Sequence, residues 1–156
     1  MVQAASSSSK SQTWTLVPVP VAGASYAVLN HNSGMALDVN AGSTADGGTI
    51  IQWPYHNGTN QHWQFVSVGS GWYEIVNANS GKALEEPGTA LDQRTYSGAT
   101  NEQWQLSAVA GGQYALVNRA TGHLADVDGA STTQGADVLG WSANGGSNQH
   151  WQLQIG

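Results

Sequence analysis

Asn60-Gln61-His62-Trp63, Asn101-Glu102-Gln103-Trp104 and Asn148-Gln149-His150-Trp151 are one four-residue pattern written three times. Each closes a longer copy. The copies open with Tyr26-Ala-Val-Leu-Asn-His-Asn-Ser-Gly34, Tyr73-Glu-Ile-Val-Asn-Ala-Asn-Ser-Gly81 and Tyr114-Ala-Leu-Val-Asn-Arg-Ala-Thr-Gly122. Equivalent positions lie 47 and then 41 residues apart at the front of the copies, and 41 and then 47 at the back. The middle copy is therefore six residues shorter inside. Such a period marks a small structural unit used several times. It also makes each copy a control for the others: a packing residue recurs in all three, whereas a ligand residue can be lost from one.

The composition sets the class. The chain has 156 residues, enough for one core, with 20 Gly and only 9% charged residues. Apolar runs rich in β-branched and aromatic residues, separated by polar turns, predict an all-β protein. A net charge of −6 with four basic residues argues against nucleic acid or an anionic membrane surface as partner. With no cysteine there is no disulfide or thiol chemistry. No stretch approaches membrane-spanning length, and no apolar signal segment opens the chain. Residues 1–12 read as a flexible Ser-rich arm, and residues 13–156 as one domain with repeats over about 26–66, 73–107 and 114–154.

Four short strands are expected per copy. In the first copy they are Tyr26–Asn30, Met35–Val39, Thr49–Trp53 and His62–Val66, with Ser33-Gly34 turning the first pair. Three sets of four strands imply a barrel with pseudo-threefold symmetry. The deletion in the middle copy falls near the bends at Asp46-Gly47 and Gln134-Gly135. Trp14-Thr-Leu-Val-Pro-Val19 echoes Trp63–Val68, so Trp14 or Trp151 could close the barrel, or both could pair side by side. Trp63, Trp104 and Trp151 recur without exception and read as core, as do Leu37, Leu84 and either Leu124 or Ala125.

A second set of residues behaves differently. A carboxylate follows the second strand of each copy: Asp38, Glu85, Asp126. Fifteen residues on, the outer copies carry Trp53 and Trp141, then His56 or Asn144, then Asn60-Gln61 or Asn148-Gln149. The middle copy has Arg94 in the Trp slot and Glu102 in the Gln slot. Trp53 and Trp141 are thus dispensable to the repeat, which favours a ligand role. The chemistry suits a neutral sugar: an exposed ring covers a face of C–H bonds, a carboxylate accepts from adjacent hydroxyls, and an amide both donates and accepts. Asp38 bonding turn amides, and Asn60 and Asn148 stabilising a turn, are the plainer alternatives; Asn101 persists in the altered copy.

The motifs Ala36-Leu-Asp-Val39, Asp46-Gly47, Ile51-Gln-Trp-Pro-Tyr-His56 and Asn60-Gln-His-Trp63 resemble the ricin B-chain type of β-trefoil lectin, in three copies across about residues 26–156. The resemblance implies a β-trefoil, a six-stranded barrel capped by three hairpins, with one possible sugar site per lobe. It implies galactose or N-acetylgalactosamine as ligand. Carried over residue by residue, the first site is Asp38, Trp53, His56, Asn60 and Gln61, and the third is Asp126, Trp141, Asn144, Asn148 and Gln149. The middle lobe, with Glu85, Arg94 and Glu102, is expected to be silent or altered.

Catalysis is not expected. A glycosidase needs two carboxylates about 5–10 Å apart across one bond, and Asp38, Glu85 and Asp126 are repeat mates in different lobes. His62 and His150 are repeat mates too, so neither a metal site nor a cofactor is expected. Two alternatives to a free-standing lectin remain. One is a targeting module of a larger glycan-degrading enzyme. The other is a protein-binding trefoil using Trp72 and the altered middle lobe. Asn57-Gly-Thr59 is a glycosylation sequon beside the first site.

Overall fold

Gly34, Gly81 and Gly122 sit at equivalent turns with φ of 75°, 72° and 76°, a left-handed conformation that costs glycine nothing. Each turn reverses the chain from the first strand of a repeat into the second. The Asn that ends the first strand holds the turn: the Asn30 Oδ1 accepts from the backbone N–H of Asn32 and Ser33, Asn77 does the same with Asn79 and Ser80, and Asn118 accepts from Ala120. This local chemistry is written identically three times, and the structure repeats with it.

The computed structural model describes residues 20–156. The first repeat contains β1 (Ser25–Asn30), β2 (Ala36–Val39), β3 (Ile50–Trp53) and β4 (His62–Gly69). The second contains β5 (Trp72–Asn77), β6 (Ala83–Glu85), β7 (Asp92–Arg94) and β8 (Trp104–Val109). The third contains β9 (Gln113–Asn118), β10 (Leu124–Val127), β11 (Val138–Trp141) and β12 (Trp151–Ile155). The remaining regular structure is single-turn 3₁₀ helix. The fold is all-β, a β-trefoil.

Antiparallel pairs β12–β1, β1–β4, β4–β5, β5–β8, β8–β9 and β9–β12 form a closed ring of six strands, which leaves the barrel no free edge. Hairpins β2–β3, β6–β7 and β10–β11 cap one end. The strand of Trp151 pairs with β1 and β9, so it occupies the closing position. The segment Trp14–Val19 and the Ser-rich stretch 1–12 lie outside the described residues.

Trp63, Trp104 and Trp151 are buried with Leu37, Leu84, Leu116, Ile50 and Leu91 in one core cluster. Each indole N–H donates to a carbonyl on the facing hairpin strand, at Leu37 (3.0 Å), Leu84 (2.9 Å) and Ala125 (3.0 Å). Ala125, rather than Leu124, is therefore the repeat mate of Leu37 and Leu84. The strands were expected one residue longer at the start of β2 and β3, and β4 runs three residues further, to Gly69.

The six missing residues come from the β6–β7 connection. Pro87–Ala90 stands where the outer lobes have Asn40–Thr49 and Asp128–Asp137. Elsewhere the long connections carry the contacts between lobes. Buried Gln52 donates to the Ser131 and Thr133 carbonyls, and Gln93 to those of Ser43 and Ala45. The third junction lacks that long connection. There Gly140 replaces the Gln, and the buried Glu86 carboxylate fills the space, accepting from Thr121 Oγ1 at 2.8 Å and lying 2.7 Å from His123 Nδ1. A side chain at position 140 would collide with that carboxylate.

Replacing Trp104 by Phe leaves the Leu84 carbonyl unpaired in the core and opens a small cavity, a loss of about 2–4 kcal/mol. Urea unfolding monitored by far-UV circular dichroism should show that loss, and similar losses at Trp63 and Trp151. A Trp104→Phe cost below about 0.5 kcal/mol would contradict the assigned role.

Candidate functional site

The hairpin strand β2 alternates its faces. Leu37 and Val39 enter the core, so Asp38 between them points the other way. It lies inside the strand rather than after it, and it opens onto a cleft of about 460 Å³. The cleft is lined by Asp38, Ile51, Trp53, His56, Asn60 and the 3₁₀ turn Asn40–Gly42. A second cleft of about 370 Å³ lies in the third lobe, built from Asp126, Leu139, Trp141, Asn144, Asn148 and the turn Asp128–Ala130. The sequence-derived residues thus come together as two separate groups. The turn residues and Ile51 or Leu139 complete the walls; their copies differ in type, so recurrence alone did not single them out.

The carboxylates are held from behind. Gln61 Nε2 donates to Asp38 Oδ2 at 2.8 Å and to the Pro54 carbonyl at 3.0 Å, while its own Oε1 accepts from the His56 N–H at 2.9 Å. Asn60 Nδ2 donates to Asp38 Oδ1 at 3.1 Å and to the Val39 carbonyl at 3.0 Å. The third lobe repeats the arrangement with Gln149, Asn148 and Asp126 at 2.8 and 3.1 Å. Gln61 and Gln149 are fully buried and line neither cleft. They orient the carboxylate. Both N–H bonds of Asn60 and Asn148 are committed to the protein, so what each Asn offers a ligand is its Oδ1.

Burial pushes the carboxyl groups of Asp38 and Asp126 above the ordinary aspartate value of 3.8, against the Gln and Asn hydrogen bonds that favour the charged form. His56 acts with those bonds at Asp38, while the charge of Asp128 adds to the upward push at Asp126. Trp141 is 54% exposed, a large ring left open to solvent beside a carboxylate. Gly58 and Gly146 pass directly over the site: a side chain at either would collide with His56 and Asn60, or with Asn144 and Asn148.

In the middle lobe the carboxylate at the equivalent position, Glu85, is paired within the lobe. Arg94, in the slot of Trp53 and Trp141, donates through Nε to Glu85 Oε1 at 2.9 Å. Asn101 donates to Glu85 Oε2 at 3.3 Å. Glu102 accepts from the Ser97 N–H at 2.8 Å, as Gln61 does from His56, but as a carboxylate it cannot donate to Glu85. The shortened β6–β7 connection removes the 3₁₀ turn that walls the outer clefts. Asn101 persists for a side-chain reason: its Nδ2 donates to the Glu86 carbonyl at 3.2 Å, as those of Asn60 and Asn148 donate to the Val39 and Val127 carbonyls, which ties the segment to the hairpin in every lobe. On the surface of this region Arg119 stacks its guanidinium over Trp72, 5.1 Å from the ring centre.

The chain belongs to the ricin-type β-trefoil lectin domain-like family, whose model matches residues 10–95, 59–141 and 100–156. Carbohydrate binding is the function of the class. Among solved structures, the designed threefold-symmetric protein ThreeFoil is 42% identical, with 83% of this chain and 96% of that chain covered and a TM-score of 0.81. The exo-β-1,3-galactanase 1,3Gal43A from Clostridium thermocellum is 38% identical, with a TM-score of 0.82. That match spans 88% of this chain but 31% of the galactanase. The Macrolepiota procera ricin B-like lectin, solved with lactose, is 25% identical over 91% of this chain and all of that one, with a TM-score of 0.77. No curated protein sequence matches.

Asp92 carries a consequence for pH. It pairs with Glu85 across β6–β7, and its Oδ1 is buried without a hydrogen-bond partner. Burial first, then the adjacent Glu85, push its carboxyl up to about 7. A carboxyl raised from 3.8 to about 7 on folding binds more protons in the native state, so this group erodes stability as pH rises through that window. Asp92→Asn should therefore raise Tm more at about pH 8 than at about pH 4. Equal shifts at both pH values in a calorimetric scan would contradict it.

Proposed function

We propose that this chain binds galactose-type glycans through two sites, one in the first lobe and one in the third, and that it does so without catalysis. The observation that carries the reading is the double occurrence of one geometry. In each outer lobe a carboxylate gripped by a buried Gln and a lining Asn faces a Trp ring across a cleft. The free lone pairs of Asp38 or Asp126 accept two neighbouring hydroxyls, Asn60 or Asn148 Oδ1 accepts a third, and Trp53 or Trp141 covers the apolar face of the ring. His56 and Asn144 complete the rims, while Gln61 and Gln149 act from behind as positioning residues. The galactoside preference is supported by the lactose bound to the Macrolepiota lectin and the galactanase activity named for the Clostridium enzyme.

The middle lobe is silent on this reading. Its wall is deleted, its ring is replaced by Arg94, and its carboxylate is already bonded. Each open site alone holds a monosaccharide weakly, because ordered water must leave the hydroxyls and the carboxylate. Two sites on one rigid barrel raise the effective affinity for a glycan-bearing surface without any new contact. The match to a minor part of a galactanase favours a second setting for the same activity, as the targeting module of a longer glycan-degrading enzyme.

A glycan array followed by calorimetric titration tests the reading. Galactosides should register, and the Asp38→Ala, Asp126→Ala double variant should lose binding at least about 100-fold while keeping its far-UV spectrum. Retained sugar binding by the folded double variant would contradict the site assignment. Because both carboxyls sit above their ordinary value of 3.8, binding should fall on acidification with a midpoint above that value. A profile flat down to about pH 3.5 would contradict the role of the ionised carboxylates.

A further inference from the structure

The two clefts share a geometry but not a charge. Position Asn40 in the first cleft is Asp128 in the third, and His56 in the first is Asn144 in the third. Asp128 lies two residues beyond Asp126, at the start of the 3₁₀ turn that follows the strand, and both line the cleft. The first cleft therefore holds one carboxylate beside an imidazole, and the third holds two carboxylates. No Lys, Arg or His lines the third cleft. The described cations are committed elsewhere: Lys82 and Arg94 to acidic partners in and around the middle lobe, Arg119 to Trp72 and Gln103. Asp128 has no ion-pair partner among the described residues, and its charge is felt at Asp126.

We infer that the third cleft selects sugars bearing a free, protonated amine, an amino-hexose or its polymer, whereas the first cleft takes the neutral hexose. This rests on the sugar-site reading of both clefts. Asp126 is oriented by Gln149 and Asn148 to meet ring hydroxyls, as Asp38 is in the first lobe. Asp128, exposed at the rim, adds an acceptor with full charge where the first lobe has only a neutral amide. An ammonium on the sugar there gains a charge-assisted bond that a hydroxyl cannot make. In the first cleft the same ammonium meets Asn40 and His56 and gains nothing comparable. Asp128 is on this view a specificity-determining residue.

The test isolates each site. Asp38→Ala leaves only the third cleft competent, and Asp126→Ala only the first. Both proteins are titrated at about pH 6 and low salt with galactose and with galactosamine, followed by chemical-shift changes of the Trp indole N–H signals. The Asp38→Ala protein should bind galactosamine about three- to tenfold more tightly than galactose, a preference that fades at about 0.5 M salt. The Asp126→Ala protein should show no such preference. Adding Asp128→Asn to Asp38→Ala should bring the affinity ratio to about one, and adding Asn40→Asp to Asp126→Ala should raise it. If the Asp38→Ala protein binds both sugars equally, the amine selectivity is overturned and the sugar site stands. If it binds neither sugar while folded, the third site itself is overturned. A preference that survives Asp128→Asn overturns the role of that residue.

Discussion

The indole N–H bonds of Trp63, Trp104 and Trp151 are the constraint on which the other parts depend. Each reaches a carbonyl on the capping hairpin, and that carbonyl belongs to the residue just before the site carboxylate. The same short segment that sends the Trp inward also supplies the Gln and Asn that grip Asp38 or Asp126. Core and site are therefore two faces of one element. A buried indole with a satisfied N–H tolerates little displacement, and the carboxylate one residue along inherits that rigidity. A site built this way is preformed, which suits a ligand whose binding leaves little surplus to spend on ordering the protein.

The middle lobe keeps the packing of its neighbours and has lost their cleft. Its Trp104 and Asn101 remain, because one fills the core and the other ties the segment to the hairpin through its side-chain N–H on the Glu86 carbonyl. The other positions that face the clefts of the outer lobes have changed, and the changes fit one another. Arg94 neutralises Glu85, Glu102 still holds the turn through Ser97, and the lost connection is compensated by Glu86 folding into the space vacated at Gly140. The Gln-based fastening of Gln52 and Gln93 is replaced by a buried carboxylate bonded to Thr121 and His123. Three junctions reach the same end by two chemistries, since what the fold requires there is a satisfied polar group and no void.

Threefold repetition also lets two sites diverge without cost to the barrel. Asn40 and Asp128 are exposed at cleft rims, away from the core, so a change of charge there leaves the packing untouched. The turns that carry His56 and Asn144 are both held through the backbone N–H by Gln61 and Gln149, and Asn144 adds a bond of its own, its Oδ1 accepting from the Gly146 N–H at 2.8 Å.

Much of this was legible in the residues. Recurrence separated Trp63, Trp104 and Trp151, which are buried in the core, from Trp53 and Trp141, which line the clefts, because a packing demand acts on every copy. The turn glycines and the alternation around Asp38 were local, and local chemistry is written in the chain. Other features required the tertiary structure. Gln61 and Gln149 look like ligand contacts when placed beside Asn60 and Asn148, but only the packed hairpin shows them buried behind the carboxylate. Ala125 replaces a Leu and was ambiguous with Leu124 until strand register chose between them. Asn40 and Asp128 come to line the clefts through loop conformation, which places side chains by backbone torsion and not by period. The sequence alone determined the repeat, the all-β class, the core tryptophans and the lobes that differ. Only the tertiary structure decided which atoms face the cleft, because that depends on contacts between segments distant in the chain, such as the 22 and 23 residues that separate Asp38 from Asn60 and Gln61.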